Sequence, residues 1–487
     1  MLNKPNIFIF MTDQQRGDTL TNPLISMPNI RSLMKDGLHF ANTHCPSPHC
    51  CPSRATFFTG KYPSEHGVWN NVWVQNTLSD RLTAGTELFS ESFAKQGYEM
   101  WFSGKWHVSR ETGPEDHGFK EAFVTSNKYS KPSKATAHMS AGWNVYRELA
   151  KTRDENDSTP RNAGQIKRAG YPNFNHYGIK EDPFNDLKVV NTTIDKLNEI
   201  PDNGEPWAYY VGTLGPHDPY FVPQRFLDMY KDLDIELTDI HFDNLLDKPN
   251  LYQRTQKAFN QLTIDEKKEA IRHYMAFCTY EDYLFGLTLD VLKKRNDYDD
   301  TLILFTSDHG DYNGEHGLWC KGLPAFKGAY HIPAVISWKN GIKNPNRTID
   351  EPVSLADFAP TFLDIIGEES SNLTGKSLLL FLNDKTPDNW REYSFTQTNG
   401  NEIYGIQRAV FNEKWKLVYN SFDHDELYNL EKDPDELINL ASDKKYDEIK
   451  KSLYTELWTF AESVKDKCLN PYIMVGLAEY GPAYAYK

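Results

Sequence analysis

Four apolar runs in this 487-residue chain each stop at side chains that can do chemistry. Asn6 to Thr12 runs into Asp13-Gln14-Gln15-Arg16-Gly17-Asp18, and Tyr98-Glu99-Met100-Trp101-Phe102 runs into Ser103-Gly104-Lys105-Trp106-His107. Trp207 to Thr213 leads to Gly215-Pro216-His217, and Thr301 to Ser307 leads to Asp308-His309-Gly310-Asp311. Polar residues massed at the carboxyl end of a buried strand are where open α/β sheets place their ligands. Carboxylates offer hard oxygen donors to a cation, and lysines and histidines offer donors to negative charge. A fifth group, Cys45, His49, Cys50 and Cys51, raises zinc or redox chemistry. Its spacing argues against both, because adjacent Cys50 and Cys51 lack the two-residue gap that turns two thiolates to one ion, and no second cysteine pair lies nearby.

The most informative segment is Cys50-Cys51-Pro52-Ser53-Arg54-Ala55-Thr56-Phe57-Phe58-Thr59-Gly60-Lys61. It resembles the sulfatase signature, C-x-P-S-R followed by A-x-x-x-T-G and a basic residue, in which the first cysteine is oxidised to formylglycine. Every fixed position matches. The resemblance implies that Cys50 becomes the nucleophile, since only Cys50 stands two before Pro52 and four before Arg54. A hydrated aldehyde carries two hydroxyls on one carbon, one to attack sulfur and one to expel sulfate by re-forming the carbonyl. Arg54, one helical turn on, would hold that diol. Cys45 and Cys51 are expected to be ordinary buried thiols.

The same resemblance extends to other segments. Asp13 and Asp308 are similar to the family's metal-binding acids, with Gln14 and His309 in the adjoining ligand positions. Hard oxygen donors fit calcium, while the softer imidazole admits manganese or another divalent ion. Ser103-Gly104-Lys105-Trp106-His107 resembles the segment whose lysine and histidine flank the nucleophile and bind sulfate. His217 falls in a P-H-x-P segment, and Lys321 in the place of a lysine that contacts sulfate and the bridging oxygen. Together these imply that Cys50, Arg54, Lys105, His107, His217 and Lys321 are catalytic. Asn71 is expected to bind substrate, as a corresponding asparagine does in phosphonate hydrolases, and His316 is expected to be structural.

The implied activity is hydrolysis of a sulfate monoester, with a sulfated saccharide as the small substrate because Trp and Tyr side chains can stack on sugar faces. A formylglycine-generating maturation enzyme is an implied partner. Asp-Gln paired with Asp-His also resembles phosphonate monoester hydrolases, so a phosphonate monoester hydrolase or phosphodiesterase with the same nucleophile is the alternative. A glycan-binding protein that kept the fold without catalysis is disfavoured, because every expected catalytic residue type is present.

The elements that position these residues can be read from the apolar runs. Helix-like Leu88 to Gln96 and Thr263 to Lys294 alternate with the strands, which predicts an α/β domain with a mainly parallel or mixed central sheet. The sulfatase resemblance implies that this sheet is large, mixed, flanked by helices and alkaline phosphatase-like in fold. Short strands at Tyr393 to Thr396, Ile406 to Phe411 and Trp415 to Tyr419, then a helix from Tyr446 to Val464, predict a smaller C-terminal α+β domain. The expected division is 1–385, catalytic, and 386–487, ending in an aromatic tail. Residues 127–185 are polar without clear periodicity and read as an insertion that walls the active site. The family resemblance covers about residues 5 to 340 and resumes around Glu426 to Leu440.

Composition narrows the partners. Hydrophobic residues at 39% and charged residues at 25% describe a soluble globular protein, and a net charge of -15 argues against nucleic acid or an anionic membrane surface. No stretch approaches the roughly 18 to 20 apolar residues that cross a bilayer. Six cysteines in so long a chain form no disulfide scaffold, and the run at Asn6 is too short and too early for a signal peptide. A cytoplasmic location is therefore expected, unless a leader has been removed.

Overall fold

Residues Asn6–Thr12 alternate between two packed faces, with Ile7, Ile9 and Met11 in one buried cluster and Phe8 and Phe10 in another. A strand covered on both faces belongs to the interior of a sheet with helices on each side. The computed structural model describes residues 4–72, 77–125, 161–168, 171–401, 403–479 and 481–485. Among them eight strands form one sheet: β1 (Asn6–Thr12), β2 (Gly37–Phe40), β3 (Glu99–Gly104), β4 (Lys120–Val124), β5 (Trp207–Gly212), β6 (Thr301–Ser307), β7 (Ala334–Ser337) and β8 (Arg347–Ile349). Their spatial order is β8-β2-β7-β6-β1-β5-β3-β4. Only β7 runs antiparallel to its neighbours, so the sheet is mixed but its central strands all point one way.

Five helices matter for the site: α1 (Cys50–Thr59), α2 (Asp186–Glu199), α3 (Asn250–Lys257), α4 (Ile264–Leu292) and α5 (Asp447–Ser463). Ala55, Phe57 and Phe58 of α1 pack on the Ile7 face of the sheet. Val189, Val190 and Leu197 of α2, with Phe277 and Phe285 of α4, cover the Phe8 face. The long helix α4 starts in a reciprocal cap: Glu266 N–H donates to the Thr263 hydroxyl at 3.3 Å, and Thr263 N–H donates to the Glu266 carboxylate at 2.7 Å.

A separate antiparallel sheet lies beyond it in the chain, β9 (Ser394–Gly400), β10 (Tyr404–Phe411), β11 (Trp415–Asn420) and β12 (Glu426–Asn429). One face carries Val410, Leu417 and Leu427 against Leu453, Leu457 and Trp458 of α5. Its other face, Ala409, Val418 and Tyr428, joins the Ile7 cluster. The chain is thus a large mixed α/β sheet with a smaller α+β unit attached, as expected.

The expected insertion lies outside the described residues over 127–160. Its remaining part, from Arg161 onward, is more regular than its polar composition suggested. Gln165–Arg168 pairs antiparallel with Tyr171–Asn175, and Tyr177–Ile179 pairs in parallel with Tyr220–Val222, just beyond His217. Among the described residues no helix is long and apolar enough to cross a membrane.

Candidate active site

Parallel register brings four strand ends to one edge. Thr12 of β1 pairs with Ser307 of β6, Met11 with Gly212 of β5, and Gly104 of β3 with the same Gly212. Asp13, Asp308, Lys105 and the loop to His217 therefore leave the sheet side by side. The Asp13 N–H donates to the Gly215 carbonyl at 3.0 Å, and the Lys105 N–H to the Gly212 carbonyl at 2.8 Å. Gly104 sits at φ +98°, and a Cβ there would lie 1.9 Å from the Gly212 carbonyl oxygen, so the approach of β3 to β5 at the site requires glycine.

Cys50 is the first residue of α1, whose residues are all buried and whose end is marked by Gly60 in the left-handed region at φ +67°. The helix N-terminus is aimed at the strand ends, and its partial positive charge favours an anion there. Cys50 Sγ lies 3.3 Å from His309 Nε2 and 3.8 Å from Asp13 Oδ1. Burial pushes the Cys50 thiol up, but Lys105, Lys321 and His309 overcome it and hold it well below the ordinary cysteine value. Cys51 behaves oppositely: burial raises its thiol, and Sγ accepts from the Val72 N–H at 3.4 Å. Cys45 is likewise buried, with Sγ 3.8 Å from the Ala329 carbonyl.

Two buried carboxylates flank one buried guanidinium. Arg54 Nε donates to Asp308 Oδ2 at 2.8 Å, Nη2 to Asp13 Oδ2 at 3.3 Å, and Nη1 to the Tyr210 hydroxyl at 2.9 Å and the Lys105 carbonyl at 3.0 Å. Lys105 Nζ also donates to Asp13. Burial and the Cys50 thiolate oppose ionisation of Asp13, yet Lys105, His217 and Arg54 keep its carboxyl below the usual range. Asp308 is pushed the other way by burial and by the Asp13 charge.

His309 Nδ1 lies 3.0 Å from the Gly310 carbonyl and donates to it, which leaves the Nε2 lone pair facing Cys50, Asp13 and Asp308. One ligand atom each from Asp13, Cys50, Asp308 and His309 lies within 4.8 Å of the others, all in buried residues. Two carboxylates and an imidazole lone pair turned to one point fit a divalent cation. Cys45, His49 and Cys51 stand outside this group, so the zinc alternative has no geometry behind it.

The opposite wall carries Lys321 and His217. Lys321 Nζ lies 2.6 Å from Gln14 Oε1 and 2.6 Å from His217 Nε2, while His217 Nδ1 lies 2.5 Å from the Asp218 carbonyl. Burial and Lys321 push the His217 imidazole down, and Asp218, the Cys50 side chain and Asp13 lift it above its ordinary value. His107 also reaches Cys50, and burial with the Lys105 charge holds its imidazole down at about 4. Gln14, expected as a metal ligand, gives its amide oxygen to Lys321 and its amide nitrogen to Asp311 at 2.5 Å and Asp218 at 3.2 Å. Asn71 Oδ1 accepts from the Cys51 N–H at 3.1 Å, so it helps to orient the start of α1 and also lines the cavity beside Lys321. His316 is removed from this cluster, held by Asp243 at 2.7 Å and stacked on Phe326.

Sequence reasoning assigned no role to Asp218, Tyr210, Tyr220 or Asp311. Asp311 accepts from Tyr220 at 2.7 Å as well as from Gln14, and so orients the side chain next to Asp13. Its position three residues after Asp308 at the same strand end was the available signal.

Known proteins bear on this geometry directly. The sulfatase family model matches residues 5–368, and a model described as N-sulphoglucosamine sulphohydrolase, C-terminal, matches residues 314–463. Choline-sulfatase of Rhizobium meliloti (strain 1021) is 30% identical over 454 residues, covering 90% of this chain and 82% of its own length. N-acetylglucosamine-6-sulfatase of Homo sapiens is 24% identical over 481 residues, covering 90% and 80%. The crystal structure of the phosphonate monoester hydrolase of Agrobacterium radiobacter matches with a TM-score of 0.76 at 23% identity, covering 94% of this chain and 96% of that one. A family match that takes in all eight strands of the large sheet, together with relatives aligned over most of their length, agrees with the motif that begins at Cys50. The chain belongs to the sulfatase family and is a sulfuric ester hydrolase of alkaline phosphatase-like fold.

Proposed function

We propose that this sulfatase removes sulfate from a monoester carried on a saccharide, using formylglycine made from Cys50 by a maturation enzyme and one divalent cation, calcium. The observation that carries it is Cys50 Sγ at the start of α1, 3.3 Å from His309 Nε2 and within reach of three cations, buried Arg54 and Lys105 and half-buried Lys321. Asp13, Asp308 and His309 would hold the cation, with Gln14 joining through its amide oxygen. When present, the cation adds positive charge against the anionic ester, and the hydrated aldehyde offers one hydroxyl for attack and one for expulsion of sulfate.

The chain's own side chains do the rest. Arg54 pairs with both acids and orients them, and removing one partner of such a buried pair destabilises by about 3 to 5 kcal/mol. Lys105 and Lys321 hold the sulfate oxygens. His107, held neutral, accepts a proton at the nucleophile, and His217, oriented through Nδ1, donates one from Nε2 to the leaving oxygen. The saccharide assignment is supported by a cavity of about 570 Å³ beside Lys321 and His217, walled by Phe174, Phe259 and Trp319. That volume suits ligands of about the size that fill cavities of ~300–1,000 Å³. A relative named for N-acetylglucosamine 6-sulfate points the same way.

A phosphonate monoester or phosphodiester substrate is the second reading, favoured by the imidazole of His309 in the ligand group. Purified, matured protein assayed on sulfated sugars, aryl sulfates and phosphonate monoesters tests both. Faster turnover of phosphonates than of any sulfate would overturn the first reading, and inactivity on all would leave a glycan-binding role.

A further inference from the structure

One wall of the cavity beside Lys321 and His217 is a single face of α3 and its end. Leu251, Arg254, Thr255 and Ala258 line it, at the i, i+3, i+4, i+7 spacing that stacks side chains on one side of a helix. Arg254 is the one charged residue of this stripe. It is exposed, and among the described residues it donates no hydrogen bond and meets no carboxylate or aromatic ring. Other arginines near the site are tied down: Arg16 pairs with Asp18 and Glu315, and Arg54 with Asp13 and Asp308.

The charge balance of the lining makes this arginine informative. Asp218 is the only acid among the described lining residues, and it already faces His217 and Gln14. Arg254 and Lys321 then leave the cavity locally positive in a chain whose net charge is -15. Such a field gathers anions and turns away cationic substrates. The scissile sulfate has its own cations in Lys321, Lys105 and Arg54. A basic residue in the last turn of a helix also suits the helix dipole, but that role does not require it to lie on the cavity stripe.

We infer that Arg254 binds a second anionic group, a carboxylate or a second sulfate, on the same saccharide whose scissile sulfate sits at Lys321 and His217. The inference rests on the sulfate ester reading above and narrows its substrate class to saccharides with at least two anionic groups. A guanidinium presents two parallel N–H donors that match the paired oxygens of either group, which an ammonium cannot do. Arg254 is then a specificity residue, remote from the bond that breaks.

The test is steady-state kinetics of the full-length, matured enzyme on three substrates. These are a singly sulfated N-acetylglucosamine, a monosulfated disaccharide that also carries a uronic acid, and a disulfated disaccharide without one. The wild type is expected to prefer one or both doubly anionic substrates. Arg254→Gln should shrink that preference about 10- to 100-fold, chiefly through KM, and Arg254→Lys should fall between. Loss confined to the uronate arm assigns a carboxylate, and loss confined to the disulfate arm assigns a sulfate. An unchanged preference in Arg254→Gln, or equal losses on singly and doubly anionic substrates, would overturn the inference. Equilibrium binding of the two disaccharides to Cys50→Ala, with and without Arg254→Gln, reads the contact without turnover. A chain that hydrolyses no sulfate ester would then sink the proposed function, while the binding difference still decides Arg254.

Discussion

Lys321 and His217 face each other across 2.6 Å, Nζ to Nε2, with His217 Nδ1 anchored on the Asp218 carbonyl. In that arrangement the ammonium donates to the imidazole lone pair, and the imidazole donates from its other nitrogen. Two cationic groups cannot share so short a gap unless an anion enters it. A sulfate ester would do so under the proposed function: it would take the Lys321 contacts and leave Nε2 free to take up a proton and pass it to the leaving oxygen.

His217 is therefore expected to act as the acid for poor leaving groups. A sugar alkoxide needs protonation as the bond breaks, and an aryl oxide needs much less. General acid catalysis contributes about 10²- to 10⁴-fold, so His217→Ala should slow a sugar sulfate by that factor and an activated aryl sulfate far less. His107→Ala, acting at the nucleophile, should slow both. Equal slowing of the two substrates by His217→Ala would pass the role to Lys321.

The two neighbouring cysteines should behave differently. Cys50 faces the strand ends with its thiol pushed down by Lys105 and Lys321 against burial, whereas Cys51 points into packing with its thiol raised by burial. Cys50→Ala should abolish turnover, and Cys51→Ala should largely preserve it. Peptide mass spectrometry of mature protein should find a loss of about 18 mass units at position 50, the difference between a thiol and an aldehyde side chain. The same loss found at Cys51, with Cys50→Ala active, would reverse the assignment.

Much of this arrangement was legible in the sequence because its parts are local. An apolar run that ends in Asp13 or Asp308 announces both a buried strand and its reactive end, and the residues from Cys50 to Lys61 carry their spacing on their face. β7 was less visible, since Ala334–Ser337 is four residues long and ends in no chemistry. The strands within 161–179 were hidden by a polar composition that lacks period-2 alternation, in which single residues such as Ile166 and Phe174 reach the core without a repeating apolar pattern. Gln14 shows a different limit: adjacency to Asp13 suggests a ligand, and the direction in which its amide turns is set by Lys321, Asp311 and Asp218, residues some 200 to 300 positions away in the chain. Long-range polar partners of this kind leave no local signature.

Metal removal should be visible without any turnover. Asp13 and Asp308 share one guanidinium at zero exposure, and burial together with the Asp13 charge raises Asp308. A cation bound only by the folded chain stabilises it by about 2.7 kcal/mol at a hundredfold excess over Kd. Chelation should therefore lower the unfolding temperature as well as activity, and calcium should restore both. A stoichiometric transition ion in the purified protein, with calcium unable to restore the stripped enzyme, would refute the calcium choice and strengthen the phosphonate alternative.

The last prediction concerns the tie between the segment beginning at Arg161 and the start of α4. Arg161 Nη1 and Nη2 donate to the two Glu266 oxygens at 2.7 and 2.6 Å, and the Gly164 and Thr263 N–H groups add 2.8 and 2.7 Å contacts. Burial opposes the Glu266 charge, but Arg161 and those N–H donors outweigh it and hold the carboxyl at about 2, against an ordinary 4.5. A depressed acid contributes stability that is fully present above its unfolded value and lost as pH falls through its folded one. Wild-type stability should therefore decline between pH 4.5 and about 2 by a component that Glu266→Gln lacks. At neutral pH the same substitution removes a charged acceptor from four donors and should destabilise by about 1 to 3 kcal/mol. Urea unfolding of both proteins across that pH range checks it. Parallel curves, with the wild type losing no more than the variant on acidification, would show that Glu266 is held no more tightly in the folded chain than in the unfolded one.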